Sequence, residues 1–241
     1  MSYAVVAAAS VGAGIIQSVT GFGAGIFLML FIPYFLDMLA APALSSAICL
    51  GLSVSLAWKF RKNIQLKTCL LPAVVYITCS VVTLQLVKSM DLDVLTMAFG
   101  LFLIVLSVYF LVISERIAFQ ATWKSALVCS VISGICSALF GIGGPLMAIY
   151  FVSAIREKEN YIGTIQFLFA ASGTINLITR IFNGIYTFDL IPITIMGLVG
   201  ISLGKQIGLR ILHKLDGNKM RKLVYAYVGI SGVLTVVKQF L

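Results

Sequence analysis

The stretch VTGFGAG, residues 19–25, lies inside an apolar run that carries no charge from residue 1 to residue 36. Glycine destabilises a helix interior by about 1 kcal/mol relative to alanine. Three glycines in five positions therefore predict an interrupted helix. A related stretch, FGIGGPL at residues 140–146, interrupts a second long apolar run, and its proline fits the first turn of a new helix.

The composition is that of an integral membrane protein. Hydrophobic residues make up 61% of the 241 residues and charged residues 10%, whereas soluble domains carry about 25% charged residues. Several uncharged runs approach or exceed the length of about 20 residues that crosses a bilayer, so the chain is predicted to be polytopic. A cleaved signal peptide is not expected, because no basic region precedes the first apolar run.

The charged residues, the cysteines and the single histidine argue against nucleic-acid binding and catalysis. A net charge of +9 is typical, in such a chain, of basic cytoplasmic loops. The five cysteines lie in apolar runs without CxxC spacing and are interpreted as small buried hydrophobes. The single histidine, His213, lies in a basic loop, so no metal, cofactor or enzymatic site is expected.

An internal repeat has an offset of 120 residues. Positions 10–25 and 130–145 share six identities in 16 positions, where roughly one is expected by chance. The shared residues of the first copy are Ser10, Val11, Gly14, Ile15, Gly21 and Gly23. The chain is therefore predicted to consist of two homologous halves, residues 1–120 and 121–241.

Each half is predicted to be all-α, with one long glycine-broken segment and three ordinary spans. In the first half these are residues 4–36, then about 41–58, 68–87 and 93–113; in the second they are residues 125–155, 162–180, 189–209 and 222–240. The first long segment would be about 50 Å long as one helix, against a hydrocarbon core of roughly 30 Å. It must break, either as a re-entrant hairpin or as a tight pair of spans.

The basic residues predict how the halves are oriented. If each long segment crosses once, eight Lys and Arg fall on each side of the membrane. If each returns to its starting side, 13 fall on the cytoplasmic side, and only Lys88, Arg180 and Lys238 fall outside. The second arrangement obeys the positive-inside rule, places both termini outside and inverts one half relative to the other. Inverted repeats are an architecture of secondary transporters.

The two breaks are the predicted substrate site. Each break presents the N-terminus of a following half-helix, which favours anions. Tight turns or close helix packing are the alternative explanation. Candidate binding residues are the break residues and the nearby polar residues of the spans, namely Gln17, Thr20, Gly21, Phe22, Gly23, Ser137, Gly141, Gly143, Gly144, Pro145, Gln166 and Asn176.

Several other polar residues lie within apolar spans. Ser45, Ser46, Ser172 and Thr174 are most simply explained by hydrogen bonds to their own helices. Arg180 is expected to snorkel to the outer interface, with attraction of anions as the alternative, and Lys205 has the same two interpretations. Four glycines at spacings of three and four predict a close-packing face, within the protomer or in a homodimer; they are Gly197, Gly200, Gly204 and Gly208.

The chain resembles the TauE/SafE family of sulfite and organosulfonate exporters. The resemblance rests on the glycine-rich break in the first apolar segment, the GIGGP motif 120 residues later and the basic loop KFRKN, residues 59–63. It implies a permease of the cytoplasmic membrane for sulfite, organosulfonates or carboxylates, with the family's glycine motifs at residues 21–25 and 141–145. Ala24 and Pro145 depart from the usual run of glycines.

The leading hypothesis is thus a secondary transporter of small anions that works by alternating access. A passive anion channel and the membrane anchor of a larger complex are the alternatives. No span carries a central carboxylate, so coupling to H⁺ or Na⁺ is left open.

Overall fold

The computed structural model describes residues 2–108 and 120–211, and every regular element among them is helical. The helices are α1 (Ser2–Thr20), α2 (Ala24–Met29), α3 (Ala40–Lys59), α4 (Leu66–Leu86), α5 (Leu92–Val108), α6 (Trp123–Phe140), α7 (Gly144–Ala154), α8 (Lys158–Phe182) and α9 (Leu190–Ile211). The predicted span at residues 222–240 lies outside the described residues.

Six of these helices are long and apolar enough to cross a membrane: α1, α3, α4, α6, α8 and α9. Four of them, α3, α4, α8 and α9, follow the predicted spans to within a few residues, and α1 and α6 form the first parts of the two predicted long segments. The predicted class, an all-α polytopic membrane protein, is confirmed for the described part of the chain.

Both long apolar segments divide unequally. Helices α1 and α6 contain 19 and 18 residues, which corresponds to about 28 Å and 27 Å at 1.5 Å per residue. Helices α2 and α7 contain only 6 and 11 residues, too few to span the hydrocarbon core. Each long segment is therefore a span-length helix, a break and a short helix, rather than a pair of full spans.

Helix packing repeats between the two halves of the described chain. The most extensive contacts are those of α1 with α9, α4 with α6, and α3 with α8. Thr20 and Phe140, the last residues of α1 and α6, are 120 residues apart, as are Ala24 and Gly144, the first residues of α2 and α7. At this offset α1 corresponds to α6, and α4 corresponds to α9. The contact of α1 with α9 therefore has its counterpart in the contact of α6 with α4. Helices α3 and α8 form the central pair.

The glycine face of α9 packs within the protomer. Side chains at Gly200 and Gly204 would overlap the carbonyls of Ala7 and Val11 in α1, and one at Gly208 would place its Cβ 2.8 Å from the Ile15 carbonyl oxygen. The prediction of a close-packing face inside the protomer is confirmed. These glycines let α1 lie directly against α9, which fixes the position of the first break.

Candidate functional site

The first break depends on backbone angles that only glycine adopts readily. Gly21 and Gly23 have φ angles of 84° and 103°, in the region where side chains of L-residues are strained. The Gly21 N–H donates to the Gln17 carbonyl oxygen at 2.8 Å, which closes the last turn of α1. Helix α2 then begins at Ala24. The cost of these glycines in a helix is thus offset by the turn they permit.

The second break is built in a similar way. Gly141 ends α6 with a φ of 68°, and its N–H donates to the Ser137 carbonyl oxygen at 3.0 Å. Helix α7 starts at Gly144 with Pro145 in its first turn, as the sequence predicts. The positive end of α7 therefore lies at the break.

The two breaks are in direct contact. A Cβ added at Gly25 would lie 2.8 Å from the Gly141 carbonyl oxygen, and one added at Gly144 would lie 3.1 Å from the Phe22 Cβ. Segments separated by 120 residues in sequence therefore meet with little side-chain volume between them.

A cavity of about 70 Å³ lies where the breaks meet. Because a water molecule needs roughly 10–15 Å³ of such volume, the cavity holds on the order of five waters. It is smaller than the roughly 300–1,000 Å³ of sites for drug-sized ligands. Of the candidate residues, eight line it: Gln17, Gly23, Ser137, Gly141, Gly143, Gly144, Pro145 and Asn176. The cavity thus suits a small ion.

Neutral polar side chains hold the wall next to the first break. The Gln17 Nε2 donates to the Gln166 Oε1 at 3.1 Å and to the Ser53 Oγ at 3.2 Å, and the Gln166 Nε2 donates to the Gly21 carbonyl oxygen at 2.7 Å. Gln17 and Gln166 are 3% and 0% exposed. The network joins α1, α3 and α8 and fixes which face of Gln17 borders the cavity.

A second network lies next to the second break. The Ser80 hydroxyl of α4 donates to the Asn176 Oδ1 at 2.9 Å, and the Asn176 Nδ2 donates to the Ser137 Oγ at 3.4 Å. Asn176 and Ser137 both line the cavity. The Asn176 amide is therefore oriented by α4.

Four candidate residues lie behind the cavity wall rather than on it. The Thr20 hydroxyl donates to the Phe22 carbonyl oxygen at 2.6 Å. Gly21 accepts from Gln166, as described above, and Phe22 packs on Gly144. Their contacts support the shape of the first break. Direct contact between these four residues and a ligand stays a prediction.

Five further residues with polar side chains line the cavity: Ser46, Cys49 and Ser53 of α3, Tyr76 of α4 and Ser172 of α8. Ser46 and Ser172 stand out in the sequence as polar residues within apolar runs. Tyr76 does not, because its counterpart at offset 120 is Met196, and a tyrosine in an apolar helix is ordinary. Cys49, interpreted from the sequence as a small buried hydrophobe, is one of the residues that line the cavity.

The expectation that Arg180 snorkels to the interface is wrong. Arg180 is 1% exposed, and one terminal nitrogen donates to the carbonyl oxygens of Ala138 at 2.7 Å and Ser137 at 3.4 Å. Because α8 lies near the end of α6, the guanidinium points into the protein instead of toward the membrane surface. Without it, the predicted distribution of loop charges becomes 13 inside against two outside. Lys205 also points inward, since its ammonium donates to the Ser55 hydroxyl of α3.

Metal-binding groups of three or more His, Cys, Asp or Glu are absent from the described residues. His213 lies outside those residues. The cysteines that the structure describes are free thiols.

Comparison with known proteins fits this architecture. A sequence model of the sulfite exporter TauE/SafE family matches residues 6–235. The chain belongs to this family. A "probable membrane transporter protein" of Methanocaldococcus jannaschii is 25% identical over 245 aligned residues, which cover 91% of this chain and 90% of that protein. Solved structures gave no significant match. The family assignment and the six apolar helices make the chain a multi-pass membrane transporter and not an enzyme.

Proposed function

We propose that this member of the TauE/SafE family is a secondary transporter of small anions, of the sulfite, organosulfonate or short carboxylate class, in the cytoplasmic membrane. The observation that carries the proposal is the cavity of about 70 Å³ at the contact between the two breaks. Its size suits a small oxyanion. Its wall offers hydroxyl and amide groups together with the positive end of α7, and such groups bind anions without a metal.

The repeated helix packing supports an alternating-access mechanism. The cavity takes residues from both proposed halves, 1–120 and 121–241. If those halves are inverted repeats, rocking one half against the other opens the cavity to each side in turn. In this mechanism both glycine breaks stay in contact with the substrate, because they lie at the pivot.

Transport of labelled sulfite into proteoliposomes tests the proposal. We expect uptake above that of protein-free vesicles and competition by unlabelled sulfite or sulfonates. Uptake equal to the protein-free control for sulfite, sulfonates and short carboxylates would rule out a transporter of these anions.

Imposed gradients separate a secondary transporter from a passive channel. We expect an H⁺ or Na⁺ gradient to drive accumulation of the anion above its equilibrium concentration. Flux that only dissipates the anion's own electrochemical gradient would identify a channel. The oligomeric state, monomer or homodimer, is measured on the same reconstituted sample, so that the flux is assigned to a defined species.

A further inference from the structure

Arg180 is the only charged side chain that is buried among the described residues. It lies in the last turn of α8. Its hydrogen bonds go to the carbonyl oxygens of Ser137 and Ala138, and its Nε has no hydrogen-bond partner among the described residues. No described carboxylate neutralises it. Burying a charge without an opposite charge is costly, and such residues within membrane spans mark substrate or ion pathways.

The carbonyl contacts explain only part of this arrangement. The last turn of α6 leaves backbone carbonyls without intrahelical partners, and the Ala138 carbonyl receives the Arg180 donor. Helix C-termini favour a nearby cation. A neutral donor would satisfy the same carbonyl, however, and neutral donors do so at the first break, where Gln166 donates to Gly21. Capping of the α6 C-terminus therefore explains why a hydrogen-bond donor lies here, but not why that donor carries a positive charge.

The charge lies immediately behind the cavity wall. Asn176 precedes Arg180 by one helical turn, so both side chains lie on one face of α8. Both also reach Ser137, because Asn176 donates to its hydroxyl and Arg180 to its carbonyl oxygen. Asn176 and Ser137 line the cavity. The wall between the guanidinium and the cavity is thus only one residue thick.

We propose that an anion in this cavity supplies the countercharge that the described residues do not give Arg180, which makes Arg180 the residue that determines selectivity for anions. The inference rests on the proposed function, because it concerns the same cavity. It adds the source of the selectivity for anions. The residues that line the cavity are neutral, and the positive charge of Arg180 acts on the anion from behind them. At this range a unit charge in a protein interior changes the affinity for an anion by about tenfold or more.

Sulfite binding to purified protein tests the role of the charge. The probe is sodium sulfite, and the readout is the dissociation constant from the dependence of thermal stability on sulfite concentration. Arg180→Gln removes the charge but keeps a hydrogen-bond donor, whereas Arg180→Lys keeps the charge. The control is Arg156→Gln, which removes one charge from an exposed position in the loop before α8.

We expect Arg180→Gln to weaken sulfite binding at least about tenfold, while Arg180→Lys and Arg156→Gln stay within about threefold of the wild type. Equal affinities for the wild type and Arg180→Gln would overturn the inference and leave Arg180 as a cap for α6. A wild type that no sulfite concentration stabilises would overturn it as well.

A second pair of variants keeps the inference testable if Arg180→Gln does not fold. Asn176→Asp places a carboxylate one turn from Arg180 and retains the acceptor for Ser80. Asn176→Ala removes the amide without adding a charge. We expect Asn176→Asp to lose about tenfold more sulfite affinity than Asn176→Ala. Equal losses would overturn the inference, because they would show that charge next to the cavity does not affect the affinity for sulfite.

Binding and flux separate this inference from the proposed function. If sulfite binding depends on Arg180 but proteoliposomes show no flux, the selectivity inference stands and the transport of sulfite fails. If flux and binding persist unchanged in Arg180→Gln, the transporter stands and the inference fails.

Discussion

The two breaks have the same backbone design but different supports. Each ends a span-length helix at a glycine with positive φ, Gly21 in one and Gly141 in the other. Helix α8 supplies hydrogen-bond donors to both. At the first break Gln166 donates to the Gly21 carbonyl at 2.7 Å and Tyr161 to the Thr20 carbonyl at 3.1 Å. At the second, Arg180 donates to the Ala138 carbonyl at 2.7 Å.

This difference shows that a repeated backbone need not have repeated chemistry. Both helix ends leave buried carbonyl oxygens that need hydrogen-bond donors. Neutral donors serve one end and a cation serves the other, although the same helix provides them. The surroundings of the cavity are therefore electrostatically asymmetric, because the one buried charge among the described residues lies behind the wall on the side of the second break.

The largest difference between the breaks is expected in the sulfite flux of two variants, Gly143→Ala and its counterpart Gly23→Ala. A Cβ at Gly143 would overlap the Tyr76 hydroxyl and lie 2.8 Å from the Ser133 carbonyl oxygen. Overpacking of this kind costs about 1–3 kcal/mol. It also pushes into the cavity wall, so we expect Gly143→Ala to lower sulfite flux at least about tenfold.

Gly23→Ala is expected to act on folding instead. The nearest atom to a Cβ at Gly23 is the Ile16 Cγ2 at 3.1 Å, which is the end of a side chain that can move. The positive φ costs about 1–2 kcal/mol, and the loss of flux per folded protein is expected to be smaller than for Gly143→Ala. Ala98→Val, at an exposed position of α5, controls for added volume. Equal loss of flux in both glycine variants would show that the breaks are equivalent.

The next largest effect is expected from Gln166→Leu at the first break. The substitution removes the donor to the Gly21 carbonyl and one acceptor of the Gln17 amide. Leaving buried polar groups unsatisfied costs about 1–3 kcal/mol. We therefore expect the free energy of unfolding in detergent to fall by that amount.

An exposed glutamine provides the control for this experiment. Gln85→Leu in α4 makes the same chemical change at an exposed position and is expected to alter the free energy of unfolding by less than about 0.5 kcal/mol. If Gln166→Leu is as mild as Gln85→Leu, the first break does not depend on its neutral donors.

The sequence predicts the breaks well because their signal is local. Glycines such as Gly21 and Gly141 interrupt apolar runs that are too long for one span, and the repeat marks them as a pair. The spans α3, α4, α8 and α9 follow from uncharged runs for the same reason. Of the eight predicted site residues that border the cavity, five belong to the breaks themselves: Gly23, Gly141, Gly143, Gly144 and Pro145.

The supports of the breaks could not be predicted in this way. Placing Arg180 requires knowing that the end of α8 lies against the end of α6, which is a contact between residues more than 40 positions apart. Its position in the last turn of a span is equally typical of a snorkelling side chain. Tyr76 depends on the packing of α4 against α6, and neither composition nor the repeat distinguishes it from other aromatic residues.

The smallest effect is expected from Ser80→Ala at the second break. Ser80 donates to the Asn176 Oδ1 at 2.9 Å, and hydrogen bonds between helices in membranes contribute about 0.6 kcal/mol on average. We expect a loss of about that size in the free energy of unfolding, with Ser153→Ala at an exposed position of α7 as the control. Because Arg180 still holds the α6 carbonyls, the loss should stay below that of Gln166→Leu. A loss as large as that of Gln166→Leu would mean that neutral hydrogen bonds support both breaks equally. Arg180 would then not be the main support of the second break.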